Sequence, residues 1–198
     1  TPIKSSAASD VYKRQALIQE KNNGRPMKVV ANLPYYITTP IIMDLLEQKH
    51  KIESITVMVQ KEVAERMQAG PKEKEYGALS IAVQYYCDAH LDLIVQPSCF
   101  MPRPKVASAV ITLRVLPQRK VQVADETLFF HLVKCAFGQR RKTLLNALHN
   151  QGNLGLDKET LTQIFTQLGW DVRVRGEALS ITDFAALTEA VAAAQQKI

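Results

Sequence analysis

A run of four residues, Asn32, Leu33, Pro34 and Tyr35, has the types and spacing needed to handle the exocyclic amine of adenine. That amine is a poor nucleophile because its lone pair is delocalised into the ring. The Asn32 side-chain oxygen and a backbone carbonyl of Leu33 or Pro34 can accept its two N–H hydrogens, which aims the lone pair at a methyl donor. Pro34 keeps the turn rigid, and Tyr35 can stack on a flipped-out base. The run therefore predicts N6-methylation of adenine.

The same run also fits a simpler interpretation, an ordinary connection between a strand and a helix. Tyr35 and Tyr36 are then packing residues, and Pro34 only ends the strand because it has no N–H to give to the ladder. Four residues alone leave both interpretations open, so the elements on either side of the run matter.

The flanking residues predict a strand before the run and a helix after it. Residues 27–31 form a strand-type run, and Thr38, Thr39 and Pro40 resemble a helix start. Further elements are expected over these ranges: a short helix from 16, a turn at 22–26, strand 54–59, helix 61–69, helix 76–87, strand 91–95 and strand 107–115. This alternation predicts an α/β sheet, which binds ligands at the carboxyl ends of its strands. The last two strands suit an antiparallel pair.

The sequence changes character after a connection at residues 116–124. Apolar residues then recur at helical spacing in four successive segments between residues 128 and 191. We therefore predict a small all-α domain over residues 117–198, preceded by an α/β domain over residues 16–116.

Positive charge is concentrated in one quarter of the chain. The formal net charge of the chain is +6, whereas residues 101–150 contain nine Lys and Arg against two Asp and Glu, a net charge of +7. This concentration is typical of a protein that binds a polyanion such as a nucleic acid. An ordinary solvated face is the alternative.

Other features argue against several classes of protein. Three cysteines, Cys87, Cys99 and Cys135, and four histidines lack the spacing of metal ligands, so no metal site is predicted. No apolar run approaches the roughly 20 residues that span a bilayer, and the start of the chain has no signal-peptide pattern. A cytoplasmic protein that does not enter the membrane is expected.

Several motifs resemble one known family, the ribosomal RNA adenine dimethyltransferases of the small-subunit type. They occupy residues 29–40, 59–64, 76–80, 100–110 and 137–144, in the family's order. The resemblance implies a class I, Rossmann-like methyltransferase sheet, partial on its N-terminal side, plus a small all-α C-terminal domain. It implies S-adenosylmethionine as methyl donor, no metal, and N6-dimethylation of two adjacent adenines near the 3′ end of 16S rRNA. The partner is then the small ribosomal subunit, bound by a monomer.

The resemblance also assigns roles to single residues. Asn32 contacts both the donor and the target amine, the Pro34 region provides the second acceptor, and Tyr35 stacks on the adenine. Leu33 belongs to the adenine pocket, and Phe100 is similar to the aromatic residue on the other side of the base. A place in the core is the alternative for Phe100.

Five cations are candidates for contact with RNA phosphates: Arg103, Lys105, Arg140, Arg141 and Lys142. Arg103 and Lys105 flank the expected adenine pocket. The other three are expected within one turn of a helix, where they suit phosphate binding. A solvated helix face is the alternative for these three.

The sequence departs from the family before the first strand. The family's donor site uses a Gly-rich turn that lets the backbone approach the cofactor, and an acidic residue that holds the ribose hydroxyls. The Gly-rich turn is missing here, and residues 1–15 are expected to be a non-family or disordered segment. We therefore expect an N-terminally truncated copy that binds S-adenosylmethionine poorly and exposes a sheet edge and apolar surface.

Two further functions stay open. A non-enzymatic factor in ribosome assembly keeps the basic surface without the donor site, and its binding to rRNA weakens steeply with salt. A DNA adenine methyltransferase uses the same amine chemistry, and comparing methyl transfer to DNA and to RNA distinguishes it.

Overall fold

The structure, a computed structural model, describes residue 23 and residues 25–47 and 51–196. The predicted segment 1–15 and the start of the helix expected from residue 16 lie outside these residues. The described part forms four strands, seven α-helices and two short 3-10 helices.

Contacts within the chain divide it into two compact units. The sheet unit comprises Thr1–Ala64 and Tyr86–Pro117, and the helical unit comprises Glu65–Tyr85 and Gln118–Ile198. The helical unit thus takes in a segment from the middle of the sheet's sequence. These units are groups of contacts, and the domain boundary expected after residue 116 remains a prediction.

The strands are β1 (Met27–Asn32), β2 (Ile52–Gln60), β3 (Cys87–Val95) and β4 (Ser108–Val115). They form one mixed sheet in the order β1-β2-β4-β3. β1 and β2 are parallel, whereas β4 is antiparallel to both β2 and β3. The predicted α/β sheet and its antiparallel final pair are confirmed.

The central strands bury one face because their side chains alternate across the sheet. β2 and β4 contribute a row of fully buried aliphatic side chains: Ile55, Val57, Val59, Ala109, Ile111 and Leu113. Helix α1 (Thr38–Glu47) follows β1 and buries Ile42 and Leu46. Each large aliphatic side chain removed from water contributes about 1.5–3 kcal/mol, so this row is a main source of the sheet unit's stability.

The helix predicted over 76–87 is shorter, because β3 begins earlier than predicted. Helix α2 (Lys61–Gln68) matches its prediction closely, but helix α3 ends at Tyr86 (Ala78–Tyr86), and Cys87 already pairs with Val115 of β4. β3 goes on pairing with β4, and its exposed residues Asp88 and His90 alternate with the less exposed Ala89 and Leu91. Pairing with a distant strand therefore overrides the local helical pattern.

β1 has β2 as its one strand partner within the described residues. Val30 in the middle of β1 is 80% exposed, and Tyr36 after the strand is 86% exposed. Within the described residues, β1 therefore has one edge with no strand beside it, and exposed apolar side chains lie on and next to this strand. None of the described helices is long and apolar enough to cross a membrane.

The helical unit contains the four helices predicted after residue 124. They are α4 (Glu126–Gly138), α5 (Leu144–Gln151), α6 (Lys158–Gln167) and α7 (Ile181–Gln195). Each begins after a side chain that accepts a backbone N–H of its first turn, namely Asp125, Thr143, Asp157 and Ser180. Such caps stabilise a helix start by about 1 kcal/mol each, which explains where these helices begin.

Two tyrosines from the 65–85 segment complete the core of the helical unit. The hydroxyl of buried Tyr76 donates to the Leu179 carbonyl at 2.8 Å, and its ring meets Phe137 edge-on at 5.6 Å. Tyr85 packs on Phe129 at 5.2 Å between ring centres. Burial is also the first cause that raises the pKa of Tyr76, so its hydroxyl stays a donor. The segment is an integral part of this core.

The thiol of Cys87 makes the sheet unit sensitive to alkaline pH. Burial, with a smaller effect of the Asp88 charge, raises the pKa of Cys87 from 9.0 to about 12. Below pH 9 both folded and unfolded chains hold this proton. Between pH 9 and 12 the unfolded chain loses it first, so stability falls as pH rises, at about 1.4 kcal/mol per pH unit.

We expect the free energy of unfolding in urea to fall by about 2 kcal/mol on this account between about pH 8 and about pH 10.5. Cys87→Ala lowers stability at both pH values because it leaves a cavity, but it shrinks the difference between them. An unchanged pH dependence in the variant contradicts the assignment.

Candidate functional site

Two loops leave the sheet at the same edge. Gln60 and Val95, the last residues of β2 and β3, both pair with Ser108, the first residue of β4. β1 runs parallel to β2 and ends at Asn32 beside it. The turn after β1 and the loop between β3 and β4 therefore meet at the carboxyl edge, the position where α/β sheets bind ligands.

Asn32 is positioned by strand pairing, and its side chain is exposed. Its amide group makes no hydrogen bond with any other described residue. The carboxamide offers one acceptor oxygen and two N–H donors. An amide on a rigid strand end with unused hydrogen-bonding capacity is available to a ligand.

The turn after Asn32 is held through the Pro34 carbonyl. The Ile37 backbone N–H donates to this oxygen at 3.1 Å, and the Thr38 hydroxyl donates to it at 3.0 Å. Both of its lone pairs are thus in use. The Leu33 carbonyl accepts no hydrogen bond from the described part of the chain. Of the two carbonyls considered from the sequence, that of Leu33 is therefore the one open to a ligand.

Tyr35 is fixed by its hydroxyl and leaves part of its ring exposed. The hydroxyl lies 2.6 Å from Oγ of Ser108, and the residue is 37% exposed. This bond ties the turn after β1 to the start of β4. Tyr36 is 86% exposed, which contradicts a packing role for it, whereas the partly covered Tyr35 fits both interpretations.

The loop between β3 and β4 brings three predicted residues to the same edge. Phe100 ends the 3-10 helix at Pro97–Cys99 and is half-buried, which differs from a place in the core. Arg103 and Lys105 are exposed in the loop. The predicted aromatic residue and the two predicted cations thus share one loop beside the turn that carries Tyr35.

The prediction that Arg140, Arg141 and Lys142 share a helical turn is wrong. α4 ends at Gly138, and the three cations lie in a turn closed by a bond from the Lys142 N–H to the Gln139 carbonyl at 2.8 Å. Gln139 has φ −131° and ψ 66°, which does not continue a helix. The three cations line a cavity of about 600 Å³ in the helical unit.

These three cations are not equivalent. The Arg140 guanidinium donates to the Lys74 carbonyl at 2.9 Å and to that of Tyr76 at 3.4 Å. Arg141 and Lys142 are exposed. Arg141 and Lys142 are thus open to an anion, whereas Arg140 is largely occupied within the protein.

Two residues of the site were missed by the sequence analysis, Thr38 as a hydroxyl donor and Ser108 as the partner of Tyr35. A Thr four residues after Pro34 was a readable signal in the sequence, since Thr hydroxyls often bond the carbonyl four residues earlier. The contact with Ser108 spans 73 residues and had no local signal. Among the described residues, no group of three His, Cys, Asp or Glu side chains could hold a metal ion.

Comparison with known proteins finds relatives that are named as ribosomal RNA methyltransferases. The sequence model of the ribosomal RNA adenine dimethylase family matches residues 2–189. A protein of Lachnoclostridium phytofermentans, named ribosomal RNA small subunit methyltransferase A, is 54% identical over 175 residues, covering 88% of this chain and 60% of the relative. A protein of the same name from Alkaliphilus metalliredigens is 56% identical, covering 90% of this chain and 62% of the relative. The chain thus spans about three fifths of the length of these relatives.

Solved structures share the fold. A dimethyladenosine transferase from Plasmodium falciparum superposes with a TM-score of 0.70 at 25% identity, covering 81% of this chain and 64% of that one. The 23S rRNA methyltransferase ErmE superposes with a TM-score of 0.61 at 18% identity, covering 91% of this chain and 78% of that one. At that identity the second likeness concerns the fold alone.

Proposed function

We propose that this chain, which belongs to the ribosomal RNA adenine dimethylase family, carries the catalytic turn and the RNA-binding residues of an enzyme. This enzyme dimethylates N6 of adenine in rRNA. The small-subunit names of its relatives favour two adjacent adenines near the 3′ end of 16S rRNA as targets. Its partner is then the small ribosomal subunit in the cytoplasm, engaged by a monomer.

One observation carries this proposal: two neutral oxygens at the end of β1 have no partner among the described residues. They are the Asn32 side-chain oxygen and the Leu33 carbonyl. When both oxygens accept hydrogen bonds from the adenine amine, the nitrogen becomes pyramidal. Its lone pair then points out of the plane of the ring. The Pro34 carbonyl cannot take this role, since Ile37 and Thr38 already donate to it. Its role is to keep the Leu33 carbonyl in place.

The base is held by aromatic side chains on two loops. Tyr35 provides one platform, and its bond to Ser108 fixes the ring before the base arrives. Phe100, on the loop leading into β4, is proposed for the opposite side of the base. Stacking on such residues contributes about 1–3 kcal/mol per base and pays for part of the cost of extruding the base.

The methyl donor of this family, S-adenosylmethionine, supplies an electrophilic methyl group when bound. The exposed Asn32 amide at the carboxyl end of β1 fits a residue that touches both donor and substrate. No side chain with a shifted pKa is needed as a base, because the methylated ammonium loses its proton readily to water. The site acts by orientation of the amine.

Cations of both units are proposed to contact the RNA backbone. Arg103 and Lys105 stand on the loop beside the adenine site, and Arg141 and Lys142 stand on the turn after α4. Phosphate contacts set the position of the RNA without reading its sequence. Binding should therefore weaken steeply as salt is raised.

The test of this function uses two proteins. One is the chain itself, whose binding of S-adenosylmethionine is measured as the reference. The other is a chimera with the amino-terminal segment of the L. phytofermentans relative fused ahead of β1. We expect the chimera to transfer methyl groups from labelled S-adenosylmethionine to small subunits isolated from a strain that lacks the modification, and not to DNA. A folded chimera that binds rRNA without transfer supports the assembly-factor alternative instead.

Thr38 gives a sharper test of the turn. Thr38→Val keeps the shape of the side chain but removes the hydroxyl that fixes the Pro34 carbonyl. We expect a loss of about 1 kcal/mol in the free energy of unfolding and a fall of about tenfold in methyl transfer by the chimera. Thr38→Ser keeps the hydroxyl and should retain most of the activity. Equal activities of the Val and Ser variants would show that the bond is dispensable.

A further inference from the structure

A cleft in the helical unit concentrates cations from three loops. It has a volume of about 560 Å³, and we call it the loop cleft. Five cations line it: Lys72, Lys74, Arg140, Arg173 and Arg175. Glu73 and Glu177 are the anions of its lining, so positive charge is in excess. Its size lies in the range of cavities that bind small ligands, which suits one nucleotide unit of a polyanion.

The walls of the loop cleft are fixed by backbone hydrogen bonds. The Lys72 N–H donates to the Glu177 carbonyl at 2.9 Å, joining the loop after α2 to the segment before α7. Arg140 donates to the carbonyls of Lys74 and Tyr76 and lies 3.8 Å from the Glu177 carboxylate. Arg140 therefore joins the turn after α4 to the loop after α2, and it shares the Glu177 carboxylate with Arg175.

Lys72 is held in an unusual backbone conformation, with φ +71°. Side chains other than glycine rarely adopt this region, and such strain persists only where the surroundings impose it. Here Lys72 is the third residue of a turn that the Glu73 N–H closes by donating to the Gly70 carbonyl at 3.2 Å, and the bond to the Glu177 carbonyl holds this turn in place. The result is a lysine placed at the cleft by a rigid backbone.

Three of the cations are open to a ligand. The Lys72 ammonium has no salt-bridge partner within the described part of the chain. The Lys74 side chain is 92% exposed and lies 3.9 Å from Glu75. The Arg173 side chain is 85% exposed, and its Nε and Nη2 donate to the Asp171 carboxylate at 3.3 and 3.1 Å. The exposed Lys74 pair is weak, so a phosphate can compete for it, and the Arg173 guanidinium keeps its Nη1 group for a phosphate.

We propose that the loop cleft binds a backbone phosphate of ribosomal RNA, with Lys72, Lys74 and Arg173 as direct contacts and Arg140 as the positioning residue. The choice of RNA rests on the proposed function. Apart from Val174 and Ala178, every lining residue is charged. An acidic protein partner usually needs apolar anchors at the centre of the interface, so this lining suits a phosphodiester better.

The test measures binding of the full chain to 16S rRNA as a function of salt concentration. The charge-reversal pair Lys72→Glu and Lys74→Glu should weaken binding by about tenfold or more at low salt and reduce the slope of log affinity against log salt by about one to two. The matched control reverses two exposed lysines outside the cleft, Lys134→Glu and Lys158→Glu. Both double variants should unfold at the temperature of the parent. A cleft variant that binds rRNA like the control overturns the proposal.

Arg140 is tested through its coupling to the two lysines. If Arg140 acts by positioning, Arg140→Lys keeps the charge but weakens binding nearly as much as Arg140→Ala. The loss of affinity caused by replacing Arg140 should also largely disappear in a variant in which Lys72 and Lys74 are already replaced. Full retention of affinity by Arg140→Lys, or additive losses, would assign Arg140 to direct contact and overturn this part.

The outcome separates this proposal from the proposed function. If the parent chain does not bind 16S rRNA in a salt-dependent manner, the RNA function itself fails. In another outcome, the parent binds 16S rRNA, the chimera transfers methyl groups normally, and the cleft variants bind like the control. This outcome overturns only the proposal that the loop cleft binds RNA. Arg173→Ala serves as an independent variant, expected to weaken binding several-fold.

Discussion

Asn32→Ala in the chimera is expected to lower the rate constant of methyl transfer at saturating RNA and donor by about 10²–10³-fold. The variant removes one of the two acceptors for the amine hydrogens, and the loss of one preorganised hydrogen-bonding group from a reacting centre has effects of this size. Since Asn32 is exposed and makes no bond within the described protein, the stability of the variant should stay close to that of the parent. Single-turnover transfer of label to the small subunit measures the effect.

The matched control is Asn150→Ala, which removes an exposed asparagine from α5. It should leave transfer within about twofold of the parent. Binding of 16S rRNA should be similar in all three proteins, because Asn32 acts on the amine and not on the backbone. Near-normal transfer by the Asn32→Ala variant would remove the proposed mechanism, whatever the RNA affinity.

Tyr35→Ala is the second large effect that we expect. Removal of the ring takes away one of the two platforms for the extruded adenine, and base stacking contributes about 1–3 kcal/mol. We therefore expect kcat/KM of the chimera to fall by about 5- to 150-fold. The readout is the initial rate of transfer as a function of subunit concentration.

Two variants separate stacking from other effects. Tyr35→Phe keeps the ring and loses only the hydroxyl that meets Ser108 at 2.6 Å, so we expect a loss of a few-fold. Tyr36→Ala removes the neighbouring, more exposed ring and should change kcat/KM less than about threefold. If Tyr36→Ala and Tyr35→Ala reduce activity equally, the base does not stack on Tyr35 in particular.

Local sequence patterns predicted most of the fold. The runs of β-branched residues lie in strands of the structure, and the segments with helical spacing lie in its helices. β1, β2 and β4 lie close to their predicted ranges, as do the four helices after residue 124. The start of β3 could not be predicted, because residues 76–87 suit a helix and only the pairing of Cys87 with Val115 decides for a strand.

The residues of the candidate site were proposed from the sequence, but most of their contacts were not. Asn32, Tyr35 and Phe100 stay predictions as to their roles, and the structure places them at one edge of the sheet. Which carbonyl is open depends on the Thr38 hydroxyl. Arg140 was predicted beside Arg141 as a phosphate ligand, but its two carbonyl partners come from residues more than sixty positions away. Contacts of this range leave no local pattern.

The aromatic side chains of Tyr76 and Tyr85 limit how this protein can be divided or recombined. Although they precede β3 and β4 in the sequence, they fill the interior around Phe137 and Phe129. A carboxyl-terminal fragment that begins after residue 117 would lack both rings, and its Leu179 carbonyl would have lost the Tyr76 hydroxyl as donor. Exchange of the helical unit between relatives must therefore carry residues 65–85 along with the carboxyl-terminal helices, because the two units are interleaved in the sequence.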